Sequence, residues 1–411
     1  MSLRAIGYRL LAAILLLPLS ACHPWDHPVS EDDDNRLMRT VLIYMVAENS
    51  LSNGSFQEQD FEEIVHSVGE IPDKCQLLIY MDDTEFPRLY VVDKSQPTGM
   101  RELLHWKTDF DSCDPGTLKE IMNAVVTLYP SKGYGLVFWS HGNAWMPAQR
   151  AENPRRTIGI DNGRNRQDNS GSKMEISQLR EALSPFPKLD YLMFDACFMQ
   201  TIEVAWELRN VAHYIIASPA EIPNPGAPYH HIIPPMFTKQ ADVEGIIDEY
   251  FRFYADSAVY IREGYSYTHG AVLSVVDCTQ LEALQTSTEK MIKRYGSADE
   301  DRRLTGVLRY FPLSSQVIPE FYDMKGYMRH LITSPTDWSE WFAAFDAAVP
   351  YRRATEHWFT SYTGSYMYIR DKEDFGGISM FVPQPQDYFG TLLNQFRATS
   401  WYPVSGWSAF Y

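Results

Sequence analysis

An α/β fold with a mainly parallel central sheet, covered by helices on both faces, is what this sequence predicts. Two observations carry that expectation. Residues 136–139 (LVFW) and 189–194 (LDYLMF) are short, nearly continuous apolar runs, the form a strand takes when both of its faces are buried. Such runs recur along the chain with helical patterns between them, as crossovers joining parallel strands require. At 411 residues the chain has room for one large α/β domain with an elaborated C-terminal part, or for two domains.

The chain opens with Arg4 and Arg9, an apolar run over 10–17, and Leu19-Ser20-Ala21-Cys22. This pattern is a signal peptide, too short to persist as a spanning helix. Its end resembles a bacterial lipobox, which implies removal of 1–21 and lipidation of Cys22. The expected location is a lipid anchor outside the cytoplasm, on the periplasmic or cell-surface face of a bacterial outer membrane. Residues 22–38 are rich in Pro, Asp and Glu without apolar periodicity and read as a flexible acidic tether. Within it, Glu31-Asp32-Asp33-Asp34 is similar to acidic runs that send some lipoproteins to the cell surface; a solvated linker is the alternative.

The core is expected over 39–235, with a C-terminal helical and strand region over 236–411 completing it. Strands are expected at 40–46, 76–81 and 88–92, the last forming a hairpin with its predecessor, then a helix at 117–128. The strand at 136–139 leads into His141-Gly142, and the strand at 189–194 leads into Asp195-Ala196-Cys197. After Cys197, residues Phe198, Ile202, Ala205, Trp206 and Leu208 fall roughly at helical spacing. A buried strand at 213–217 ends at Ser218-Pro219-Ala220-Glu221. Helical patterns follow at 243–261 and 281–295, and strands at 357–369 and 377–382. The pair His230-His231, like Tyr265, Tyr267 and His269, reads as lining of core or surface rather than as metal ligands.

Two side chains in this arrangement carry chemistry. A cysteine where a strand ends and a helix begins meets unpaired N–H groups and a partial positive charge, which favours thiolate. In open α/β sheets ligands collect at the carboxyl ends of the strands, so Cys197 and His141 fall on one rim. Neighbouring strands lie about 4.8 Å apart, close enough for a thiol and an imidazole to share one substrate. The pairing suits acyl transfer, with Cys197 attacking a carbonyl and His141 moving the proton. The N–H groups of Gly142 and Cys197 are the expected oxyanion donors, Gly142 because a residue without Cβ lets backbone approach the substrate.

A His-Gly after one strand and an Asp-Ala-Cys after a later one resemble the clostripain family of cysteine peptidases, in the wider group of caspases, legumains and gingipains. The likeness extends through 194–203 (FDACFMQTIE), 42–51 (LIYMVAENSL) and 377–383 (GISMFVP). It implies a caspase-like three-layer sandwich and a Cys-His dyad working through a thioester, with no cofactor required and calcium only by analogy with some relatives. It also places Asp195 at the floor of the S1 pocket, so that a carboxylate there implies Arg or Lys at P1. A guanidinium's bidentate contact favours Arg over Lys. Glu48, Asn49, Ser218 and Glu221 are weaker candidates for the same pocket; Asp195 capping the following helix is the alternative. Relatives mature by cutting themselves between the two catalytic strands. Here that interval, 148–173, holds Arg150, Arg155, Arg156, Arg164 and Arg166 as candidate cut sites.

Two positions depart from the family pattern. Its His-Gly-x-Gly-Trp reads His141-Gly142-Asn143-Ala144-Trp145, and Ser140 stands where an Asp often precedes the His. The altered rim supports a second reading, a catalytically silent peptide-binding or adhesion lipoprotein on the same scaffold. A net charge of −17, from 53 acidic and 36 basic side chains, repels phosphate backbones and argues against nucleic acid as a partner. With Cys22 and Cys197 assigned, Cys75, Cys113 and Cys278 remain, an odd number that selects no disulfide framework.

Overall fold

The computed structural model describes residues 36–147, 156–163, 171–223, 225–238, 241–256, 270–297, 306–310, 321–361, 364–383 and 390–411. The leader, Cys22, the acidic run, Arg150, Arg155, Arg164, Arg166 and the Tyr265–His269 group lie outside the described residues.

From Leu37 to Tyr411 the chain forms one compact unit around a nine-stranded sheet. Its strands are β1 (Leu37–Val46), β2 (Cys75–Asp82), β3 (Arg88–Val92), β4 (Met100–His105), β5 (Ser131–Trp139), β9 (Leu189–Asp195), β10 (Ala212–Ala217), β11 (Val272–Asp277) and β13 (Tyr351–Ala354). The spatial order is β13-β11-β10-β9-β5-β1-β2-β3-β4. The five central strands, β10 to β2, run parallel. Both flanks are antiparallel, so the C-terminal part extends the same sheet through β11 and β13. The missing numbers belong to smaller sheets: β6 (Gly142–Pro147), β7 (Arg156–Asp161) and β8 (Ser172–Met174) form one, β12 (Phe321–Asp323) pairs with β16 (Ser379–Phe381), and β14 (His357–Thr360) with β15 (Ser365–Tyr368).

The continuous apolar runs have the cause the sequence implies, because both sheet faces are covered. Val41, Ile43, Met45, Ile79, Val137, Trp139, Tyr191 and Met193 share one core with residues of α1 (Phe56–His66), α5 (Tyr229–Met236) and α6 (Val243–Ala255). On the other face Tyr44 stacks on Tyr80 at 4.6 Å and leans on Phe138 at 5.4 Å. Helices α2 (Pro115–Leu128), α3 (Ile176–Leu183) and α4 (Ile202–Leu208) follow one another in contact. The C-terminal part adds α7 (Leu281–Tyr295), α8 (Met324–Leu331), α9 (Pro335–Ala348) and α10 (Gly390–Arg397). No helix among the described residues is long and apolar enough to cross a membrane.

Several expected boundaries shift for identifiable reasons. β1 begins at Leu37 rather than at Thr40 because Arg39, a charge inside the strand, is neutralised by Asp190 at 2.9 Å and donates to the carbonyls of Met236 and Thr238. The interval 148–173 is not all loop, since Arg156–Asp161 pairs with both β6 and β8. Residues 357–369 are a hairpin rather than one strand. The helix expected from Phe198 starts only at Ile202, capped by the Thr201 hydroxyl, which accepts from the N–H of Val204 at 3.1 Å. Cys75, Cys113, Cys197 and Cys278 are all free thiols.

Candidate active site

Register brings the backbone at His141 and Cys197 together. β5 and β9 are parallel neighbours whose last aligned pair is Trp139 with Asp195, so His141 and Cys197 each lie two residues beyond a matched strand end. Gly142 tightens the juncture: a Cβ built on it would sit 2.6 Å from the carbonyl oxygen of Cys197, a clash only glycine avoids.

Cys197 occupies a turn, not a helix N-terminus. Phe198 adopts φ +63, and the N–H groups of Phe198 and Gln200 donate to the carbonyls of Ala220 and Ser218, stitching the turn to the segment after β10. With the first helical residue at Ile202, the expected dipole does not act on the sulfur. The N–H of Ile222 donates to the sulfur at 3.3 Å. Cys197 is half-buried, and desolvation by its surroundings outweighs that bond, so the thiol is pushed up to about 12. The expectation of a resting thiolate is therefore corrected.

His141 is held on two sides. Gly159, from β7, donates its N–H to the His141 carbonyl at 3.0 Å, and Ser50 lies 2.9 Å from Nε2 of the ring. Burial, helped by the charge of Lys173, pushes the imidazole down to about 4. Ser140, where a carboxylate is usual, bonds the Val46 carbonyl at 2.8 Å and receives the N–H of Ile160 at 3.3 Å. Ser50 is the contact that sequence reasoning missed; a lone serine in a turn gives no signal.

Asp195 lies on the face shared by α1, α5 and α6, and is 5 % exposed. Its Oδ2 accepts from the N–H of Ala227 at 3.2 Å and from the hydroxyl of Tyr229 at 3.1 Å; it does not cap α4, whose cap is Thr201. Asp60 stands beside it, its Oδ2 bonded by the Trp139 indole at 2.6 Å. Burial raises both carboxyls; the charge of Asp195 raises Asp60 further, and that of Glu63 opposes ionisation of both.

The weaker candidates do not gather round Asp195. Glu221 gives its carboxylate to Thr360 at 2.8 Å and to the N–H of Ser361 at 2.9 Å, holding the β14–β15 hairpin. Ser218 closes a local turn on Ala220. Asn49 ties the end of β1 to the carbonyls of Val46 and Ile160. Glu48 groups instead with Asp82 and Asp109, whose carboxylate oxygens lie within 4.8 Å of one another. Asp82 Oδ1 is buried there without a hydrogen bond. An all-oxygen donor set of this kind fits a hard cation such as calcium. Among the arginines proposed as cut sites, Arg156 opens β7 opposite Pro147, and a paired strand resists entry into a protease cleft.

Comparison with known proteins adds an independent line. The sequence model of the clostripain family matches residues 43–410. Clostripain of Hathewaya histolytica is 23% identical over 274 residues, covering 56% of this chain; the chain spans 51% of that relative, about half its length. A secreted C11 cysteine protease from Bacteroides thetaiotaomicron, solved with an irreversible peptide inhibitor, superposes with a TM-score of 0.76 at 28% identity, covering 90% of this chain and 99% of that one. An inactive zymogen C11 protease from Parabacteroides distasonis gives 0.73 at 27% identity, covering 90% and 98%.

Proposed function

The chain belongs to the clostripain family, and on that premise we propose that it is a cysteine endopeptidase cutting after basic residues, Arg ahead of Lys. The observation that supports this reading is the matched pair of strand ends, Trp139 with Asp195, from which His141 and Cys197 each follow two residues later.

The chemistry follows from the charge states. Thiol and imidazole rest neutral, so His141 acts as a general base that takes the Cys197 proton as sulfur attacks the peptide carbonyl. The imidazolium then protonates the leaving amine, which departs and leaves a thioester. Neutral His141 next activates a water, and hydrolysis returns the thiol. The N–H groups of Gly142 and Cys197 take the oxyanion. In the tautomer where Ser50 Oγ accepts from Nε2–H, Nδ1 is the basic atom. Each step uses groups of the chain itself; a calcium ion, where carried, would be held by Glu48, Asp82 and Asp109 and would fix Glu48 two residues ahead of Ser50.

The P1 preference rests on Asp195, a buried carboxylate with no arginine or lysine paired to it among the described residues. Self-cleavage after a basic residue between Arg150 and Arg166 and anchoring through a lipidated Cys22 complete the proposal. Hydrolysis of fluorogenic peptides with Arg, Lys, Asn and Asp at P1 tests it. Wild type should prefer Arg, Cys197→Ala should be inert and uncleaved on a denaturing gel, and Cys22→Ser should lose a metabolically incorporated fatty-acid label. Equal turnover of all four peptides would overturn the specificity; an unlabelled active-site thiol would favour the silent binding module.

A further inference from the structure

We propose that Tyr250, from helix α6, is a specificity-determining residue of the P1 pocket, its hydroxyl oxygen receiving an N–H of the bound P1 cation alongside Asp195. The inference rests on the basic-P1 reading and deepens it by adding a second wall.

Tyr250 is 1 % exposed, and its hydroxyl is buried without a hydrogen-bond partner. Other buried phenols near the strand ends are satisfied: Tyr229 donates to Asp195 and Tyr254 to the Gly226 carbonyl at 2.6 Å; the hydroxyl of Tyr191 is also without a partner, but it is packed over Gly135, four residues back along its strand from Asp195. An orphaned hydroxyl in such surroundings costs stability unless a ligand completes it. The ring itself is fixed, stacked on Tyr254 at 5.3 Å. Its stacking partner Tyr254 donates to the carbonyl of Gly226, where an added Cβ would lie 3.5 Å from Asp195 Oδ1, so the ring packs beside the acid cluster; burial and then the charges of Asp195, Cys197 and Asp60 hold its phenol protonated.

Complementarity identifies what the space takes. Both hydrogen bonds to Asp195 fall on Oδ2, leaving Oδ1 to the pocket. An unfilled carboxylate oxygen and an unfilled phenol oxygen are two acceptors awaiting donors. A guanidinium offers five N–H donors in a fixed fork and accepts nothing, and an ammonium offers three; an apolar or acidic side chain would leave both oxygens orphaned. The fork can reach both oxygens at once, which favours Arg over Lys.

Tyr250→Phe removes only the oxygen and keeps the ring stack. The kcat/KM ratio for Arg over neutral P1 peptides should fall about tenfold, as loss of a hydrogen bond to a charged group entails, with KM for Arg peptides carrying most of the change. Combined with Asp195→Asn, the two losses should be less than additive, because both contact one cation. An unchanged ratio, or an equal loss on basic and neutral peptides at unaltered selectivity, would overturn the role of Tyr250 while leaving the basic-P1 reading intact. A wild-type enzyme indifferent to P1 charge would overturn the reading and this inference together.

Discussion

At the strand ends burial leaves a thiol and an imidazole uncharged, whereas on the adjoining face it crowds Asp195 and Asp60 together with no arginine or lysine paired to either among the described residues. The same desolvation acts on both regions. In the first it pushes the Cys197 thiol up to about 12 and the His141 imidazole down to about 4, so the pair holds no charge until a carbonyl arrives. In the second it raises both carboxyls, with the charge of Glu63 opposing ionisation of each. On the proposed reading, a basic substrate would supply what each region lacks: an electrophile for the sulfur and a positive charge for the acids.

Breaking the first region has the largest effect. Cys197→Ala and His141→Ala should each lower kcat/KM by at least about a thousandfold, measured by peptide hydrolysis, since nucleophile and base act as a unit. Next comes the second region. Asp195→Asn should cut the Arg-over-neutral P1 ratio by about a hundredfold, the scale of a charge-assisted contact of about 3 kcal/mol. The same variant should melt higher than wild type at pH 8. A carboxyl raised in the folded chain contributes stability that is complete below the ordinary carboxylate pKa of about 4 and is lost as pH rises through the folded value. The amide escapes that loss, so its advantage should vanish near pH 4.

A smaller effect sharpens the first region. Ser50→Ala frees Nε2 and should reduce kcat about tenfold with KM little changed, partly restored by Ser50→Thr; a fall in KM alone would deny Ser50 its positioning role. The smallest concerns the rim. Ala144 is fully buried at φ +53, where the family pattern has glycine. Left-handed backbone costs an alanine about 1–2 kcal/mol, partly offset by the entropy glycine loses on folding. Ala144→Gly should therefore stabilise the fold by less than about 1 kcal/mol in denaturant titration, with kcat/KM unchanged.

How legible this was depended on whether local pattern or long-range register decided the outcome. The strands before His141 and Cys197 could be read because a strand buried on both faces must be apolar throughout. Their adjacency in the sheet came from chemistry rather than pattern, since nothing local encodes that Trp139 aligns with Asp195. The Cys197 helix was misplaced because apolar spacing after the cysteine is compatible with an earlier start; the Thr201 cap was visible in the sequence and marks the true one. That displacement reversed the expected charge of the thiol. The strand inside 148–173 hid among arginines, although its Thr157-Ile158-Gly159-Ile160 is a weak apolar signal. Val272–Asp277 was a missed strand with a clear apolar run. Tyr250 looked like any core residue of an amphipathic helix, and its missing partner beside Asp195 shows only in the fold. Ser50 and Asp60 are brought to the site by turns and register, which no spacing rule reaches.

On the proposed mechanism Cys197 and His141 rest uncharged and separate charge only with substrate. The rate of Cys197 alkylation by iodoacetamide, followed site by site by mass spectrometry from pH 5 to 10, tests it directly. The rate should climb tenfold per pH unit across the whole range, with His141→Ala showing the same slope. A plateau reached below pH 7 in wild type and abolished in His141→Ala would reveal a preformed thiolate–imidazolium pair and contradict it.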